Sequence, residues 1–270
     1  MATKQLSKVQ KETAHDGQSV MSGIKALDKI TGGFQNSNLV VIAARPAMGR
    51  RSLALTCAYN QTCAGKKVAF FSVTLTETEI SDRLQNISSI LGKEKGGYGF
   101  ENQIFINCAQ QFEINELRYE VARLKQIENI DIVYIDNMLN ISNVGTGSYN
   151  KMTAAVVTEK LQQLSRDMDI PVVALSSLTR SCESPKREGH YPNMFDLRFE
   201  NAVNYYTDIV LLLHRYDYYG IRVDEDGNPT MGITNLFVEK CSNGRLDIET
   251  AKIHFERPEA HCGAFRDCDA

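Results

Sequence analysis

The sequence predicts an α/β fold: a mostly parallel central sheet with antiparallel edge strands and helices on both faces. Three observations carry that expectation. Short apolar strands alternate with segments of helical period along most of the 270 residues. The stretch from Leu39 to Ser52 passes from a wholly apolar strand through a tight loop into a helix. The last apolar segments are joined by short turns such as Asp224 to Pro229, which connect antiparallel neighbours.

Composition bounds what such a chain can be. An apolar content of 43% against 23% charged residues supports a packed core, and the length suits one large α/β domain. The net charge of −3 argues against a protein that coats nucleic acid, although a local basic patch stays open. No apolar run approaches membrane-spanning length and no signal-peptide pattern opens the chain, so a cytoplasmic protein with no membrane partner is expected. The seven cysteines lack close-paired zinc spacing and read as free thiols, with a metal site on His261, Cys262 and Cys268 as the minor alternative.

Residues 1–20 are polar and read as a flexible tail, residues 21–257 as the domain, and residues 258–270 as a second tail. Ile24, Leu27 and Ile30 share one helix face, and Gly32-Gly33 turns the chain into the strand at Leu39. The helix after the loop is expected from Ser52 to Ala64. A second strand spans Lys67 to Val73, and a helix from Thr76 to Leu91 opens on a Thr76/Glu79 capping box. Gly92 to Gln103 is glycine-rich and reads as a surface loop. Ile104 to Ile106 is a strand, Ile114 to Ile127 a helix, and Ile130 to Asp136 a strand ending in an acid. Ser142 to Asn150 is a loop, Met152 to Met168 a helix, and Ile170 to Ser176 a strand whose Pro171 sits at its tolerated first position. Thr179 to Pro192 is a charged loop, and strands at Asp208 to Leu213, Ile233 to Lys240 and Ala251 to Phe255 complete the sheet.

A parallel sheet places its site at the carboxyl ends of its strands. The loop Arg45-Pro46-Ala47-Met48-Gly49-Arg50-Arg51-Ser52 lies there, and its backbone N–H groups and helix start suit phosphate oxygens. Ile132-Val133-Tyr134-Ile135-Asp136 ends in an acid that would hold Mg²⁺ through water in a phosphate-binding site, or would simply stand at a turn.

Together these segments resemble the C-terminal motor domain of DnaB-type replicative DNA helicases, a RecA-like P-loop NTPase fold, from about Ser22 to Phe255. Ser22-Gly23, Leu27-Asp28 and Thr31-Gly32-Gly33-Phe34 are similar to the family's opening motif. Ala43-Ala44-Arg45-Pro46-Ala47-Met48-Gly49 is similar to its distinctive P-loop. Pro171 to Ser176 with Arg180-Ser181, Asp196-Leu197-Arg198, and Lys240 with Asn243-Gly244 match later motifs in order. The resemblance implies ATP and Mg²⁺ as cofactors, and single-stranded DNA and a homo-oligomeric or replicative helicase ring as partners. It places DNA contacts on Arg180, Lys186, Arg187 and Arg198, and a subunit contact on Lys240.

The departures from the family fall at its reactive positions. Arg50 stands where the phosphate-binding lysine is expected, and a planar guanidinium does not replace a compact ammonium conservatively. Arg51 stands where a hydroxyl should bind Mg²⁺, and Ser52 is turned by roughly 100° from that place. Thr74 takes the position of the catalytic glutamate, and a hydroxyl is no general base at neutral pH. Ser177 takes the position of the glutamine that senses the γ-phosphate, and Ser242 that of a trans-acting arginine worth roughly 10³-fold in rate. Phe199 and Asn201 replace an acid and a glycine beside the expected DNA path. The residues therefore suggest a helicase-like nucleotide- or DNA-binding component with little ATPase activity. An active helicase with a variant P-loop and a non-catalytic protein scaffold are the alternatives.

Overall fold

Every residue of Leu39–Ala44 (β1) is buried, because this strand lies inside a sheet covered on both faces. The protein is described here by a computed structural model that defines residues 19–95, 102–142, 151–242, 250–256 and 263–268. Among these, β1 is preceded by α1 (Lys25–Thr31) and followed by α2 (Arg50–Cys63), β2 (Val68–Ser72), α3 (Glu77–Lys95), β3 (Ile104–Cys108) and β4 (Phe112–Glu113). Then come α4 (Ile114–Glu128), β5 (Ile132–Asp136), β6 (Ile141–Ser142), α5 (Lys151–Met168), β7 (Val172–Ser177) and α6 (Glu200–Tyr206). The chain closes with β8 (Ile209–His214), β9 (Ile233–Cys241), β10 (Thr250–Glu256) and β11 (Ala264–Asp267). No described helix is long and apolar enough to cross a membrane.

The main sheet has the order β11-β10-β9-β8-β1-β7-β5-β2-β3. Strands β8, β1, β7, β5, β2 and β3 pair in parallel, while β9, β10 and β11 add an antiparallel edge. Alternation within each strand divides the core between two layers. Val40, Ile42 and Ala44 face α1, α2 and α3, through residues such as Leu27, Leu53 and Ile80. Leu39, Val41 and Ala43 face α4 and α5, through Leu117, Val121 and Leu161. The order β1-β7-β5-β2 brings the carboxyl ends of four strands side by side, and with them the loop after β1, Ser177, Asp136 and Thr74.

The expected elements are present, with shifts that matter for the site. Helix α2 begins at Arg50 rather than Ser52, so both arginines belong to its first turn. Gly49, at φ 94°, begins it, and its carbonyl accepts from the Leu53 N–H at 2.9 Å. The Thr76/Glu79 capping box forms as expected, but α3 continues to Lys95 through Gly92, into the stretch read as loop. A single glycine costs a helix only about 1 kcal/mol, which packing of Ile87 and Leu91 offsets.

Three features have no counterpart in the sequence reading: α6, the small β4–β6 pairing, and β11. Strand β11 corrects the expectation of a tail over residues 258–270. Ala264 and Phe265 are buried, and Ala264–Asp267 pairs with Ile253–Glu256. At the other end, Val20, inside the stretch read as tail, bridges Phe34. The rest of both tails, the centre of the loop at 143–150, Asn243-Gly244, and His261-Cys262 lie outside the described residues.

Strand β11 also holds α1. The Asp267 carboxylate accepts the N–H groups of Lys25 at 3.0 Å and Ala26 at 2.8 Å, capping a helix start that has no side-chain cap of its own. Asp267→Ala is expected to destabilise the protein by about 1 kcal/mol. In urea unfolding this appears as a lower midpoint at unchanged slope.

Candidate functional site

The loop between β1 and α2 floors a cavity of about 370 Å³. Arg45, Pro46, Ala47, Gly49, Arg50, Arg51 and Ser52 line it from the loop and the helix start, so all the expected loop residues except Met48 face it. Met48 is fully buried and anchors the loop in the core. Ala47 at φ 66° and Gly49 at φ 94° make the left-handed turns that reverse the chain. At Gly49 an added Cβ would lie 3.0 Å from the Phe265 ring, so β11 presses directly on the loop.

The remaining wall comes from residues that share no motif with the loop. Arg83 reaches in from α3, Arg215 from the end of β8, and Phe255 and Gly263 from the antiparallel edge. The Arg215 guanidinium lies 4.8 Å from the centre of the Phe255 ring. Among the described residues, arginine enters the lining at five positions and no acid does. Three of these cations are tethered: Arg45 is bidentate to Glu183, Arg215 is bidentate to Asp217, and Arg51 pairs with Asp136.

Arg50 bonds to Ser177, and Arg51 and Thr74 meet at Asp136. Arg50 turns back across the strand ends rather than into the cavity alone. One terminal nitrogen donates to the Ser177 hydroxyl at 2.7 Å, to the Ser176 carbonyl at 2.8 Å and to the Ala44 carbonyl at 3.3 Å. Its Nε is buried without a partner among the described residues. Burial lowers the pKa of this guanidinium, Asp136 raises it, and the neighbouring Arg51 lowers it further.

Arg51 Nε donates to Asp136 Oδ2 at 2.6 Å, and the Thr74 hydroxyl donates to the same oxygen at 2.6 Å. The Asp136 side chain is fully buried, while that of Arg51 is 33% exposed. Asp136 Oδ1 is buried and has no partner among the described residues. Thus Ser177 fixes Arg50, and Thr74 together with Arg51 fixes Asp136.

The four residues expected to meet nucleic acid differ in how free their side chains are. Arg180, Lys186 and Arg198 are exposed. Arg187 is engaged: its guanidinium donates to the buried carboxylate of Asp196 and, at 3.1 Å, to the Tyr191 carbonyl. Asp196 also accepts from Ser181 and from the Asn193 N–H, so it organises the charged loop that Arg187 crosses. Lys240 donates to the Asn204 carbonyl of α6 at 2.6 Å, and burial lowers its pKa. Among the described residues no cluster of histidine, cysteine or carboxylate side chains suits a metal ion.

Residues 19–95 and 93–262 match the family described as DnaB-like helicase C-terminal domain. The chain belongs to that family. It is 31% identical over 269 residues to the replicative DNA helicase DnaB of Treponema pallidum, covering 91% of this chain and 57% of that protein. It is 30% identical to the DnaB of Geobacillus stearothermophilus, over 83% of this chain and 52% of that one. The chain therefore spans little more than half the length of these DnaB relatives. Two solved structures share the fold at a TM-score of 0.78 and 22% identity. One is an ATPase domain, matched over 98% of this chain and 97% of its own. The other is a DnaB-like replicative helicase studied with primase, matched over 100% of this chain and 69% of its own.

The DnaB-like scaffold makes the Arg51–Asp136 pair an unequal one. Removing Arg51 strands a fully buried carboxylate, whereas an arginine left without its acid reaches water. Arg51→Ala is expected to cost about 3 kcal/mol of stability, and adding Asp136→Asn to recover more than half of it. Urea unfolding of the single and double variants measures both.

Proposed function

We propose that this DnaB-like domain serves DNA replication as a nucleotide- and DNA-binding component that hydrolyses ATP little or not at all. The observation that carries the reading is the Arg51–Asp136 ion pair, sealed by Thr74. Three groups of a hydrolytic site are altered by it together. The acid that would hold a magnesium-bound water is neutralised by a guanidinium. The position for a metal-binding hydroxyl is a cation. The position for a general base is a hydroxyl already donating its proton to that acid.

These residues do not fit a magnesium ion held in the family's manner. A divalent cation at Asp136 Oδ2 would have to displace Arg51, and would then face Arg50 and Arg51 at close range. The loop itself keeps what binds phosphate without a metal, namely a helix start and a cationic lining. Its partners on this reading are single-stranded DNA and further subunits of a helicase ring. The exposed Arg180, Lys186 and Arg198 are the side chains offered to a phosphate backbone. Arg187 is bonded within its own loop and Lys240 to the end of α6.

Steady-state ATP hydrolysis, with and without single-stranded DNA, tests the proposal. The turnover number is expected to lie at least about 10³-fold below that of the Geobacillus stearothermophilus relative assayed alongside. Asp136→Ala is expected to leave the residual rate unchanged. DNA-stimulated turnover that Asp136→Ala abolishes would contradict the reading.

A further inference from the structure

We propose that the arginine-lined cavity binds the phosphate chain of a nucleoside di- or triphosphate in its metal-free form, with Mg²⁺ acting as a competitor for the ligand rather than as a cofactor. The inference rests on the nucleotide-binding reading above and names the chemical form of the ligand. Its first support is the charge of the lining. Arg45, Arg50, Arg51, Arg83 and Arg215 face the cavity, and among the described residues no carboxylate lines it, the acids paired with Arg45, Arg51 and Arg215 lying outside the lining. In a magnesium-dependent site part of the neutralising charge comes from the metal. Here the protein supplies the positive charge itself.

The second support is geometric. Arg51 occupies the helical position from which a hydroxyl would meet the metal, and its Nε already lies 2.6 Å from Asp136 Oδ2. One guanidinium therefore replaces the cation at the acid and, from the same place, borders the cavity. The third support is that two of the five arginines, Arg50 and Arg83, have no ion pair among the described residues. Arg50 Nε is buried without a partner among them. The depressed pKa of Arg50 has the same origin, burial beside a second guanidinium only partly offset by Asp136. An uncomplexed polyphosphate relieves these conditions with several charge-assisted hydrogen bonds. A magnesium complex relieves them less, because the metal cancels two of the ligand's charges and brings a cation against Arg50 and Arg51.

The cavity volume of about 370 Å³ suits a phosphate chain with part of a nucleoside. Phe255, already in contact with Arg215, supplies an apolar wall beside it.

Calorimetric titration of the protein tests this with three ligands at matched ionic strength: ATP in EDTA, ATP in excess MgCl₂, and tripolyphosphate in EDTA. Both metal-free ligands are expected to bind, and excess Mg²⁺ to weaken ATP binding by roughly tenfold or more. Arg83→Gln, which breaks no described ion pair, is expected to weaken metal-free binding by about fivefold. Arg51→Thr is expected to make Mg²⁺ strengthen binding instead. Equal or tighter binding with Mg²⁺ in the unaltered protein would overturn the inference while leaving nucleotide binding intact. Binding of ATP but not tripolyphosphate would overturn it by showing that the phosphate chain is not the recognised group. Absence of binding by all three would refute the nucleotide-binding reading itself.

Discussion

A buried carboxylate in a protein interior needs a partner, and the partner chosen for Asp136 decides the character of this site. In a parallel sheet the acid is fixed at the end of a central strand, flanked here by β2 and β7, with almost no freedom to move. A metal ion, an arginine or a proton can each satisfy it. Here the partner is Arg51, assisted by the Thr74 hydroxyl. That pairing draws the first turn of α2 towards β5 and fills the space next to the acid with a cation that is part of the protein.

Four residues expected from the sequence to differ from the helicase pattern, Arg50, Arg51, Thr74 and Ser177, fall into two bonded sets. Arg50 is longer than a lysine and would overreach a bound phosphate if extended. It folds back onto carbonyls at the ends of β1 and β7, and Ser177 supplies the hydroxyl that receives it. A longer glutamine at Ser177 would compete for the same space. Arg51 likewise neutralises Asp136, and Thr74 adds a neutral donor where a glutamate would bring a second negative charge to one buried oxygen. Changing one member of a set alone would leave an unpaired or crowded polar group.

Much of this was legible in the sequence, and the limits have physical reasons. The wholly apolar β1, the glycine at the loop's end and the apolar run closing on Asp136 are local signals, and they placed the fold and the strand–loop–helix unit correctly. Helix boundaries moved by a residue or more because Gly49 and Gly92 are ambiguous: one begins a helix and the other is carried within one. Strand β11 was hidden because four residues carry no period, and only pairing with β10 reveals that Phe265 is core and Asp267 a cap. Arg83, Arg215 and Phe255 lie far apart in the chain and belong to no motif, so their convergence on the loop is a property of the folded sheet alone. For Arg187 the sequence showed a charge in a loop, but not that a buried Asp196 lay within its reach.

The most direct measurement is a crystal structure of the protein grown with ATP and Mn²⁺, with the metal located by its anomalous scattering. The account predicts no manganese at Asp136, with the Arg51 guanidinium still bonded to that carboxylate. Manganese coordinated to the nucleotide and held by Asp136, directly or through water, with Arg51 swung away, would contradict it.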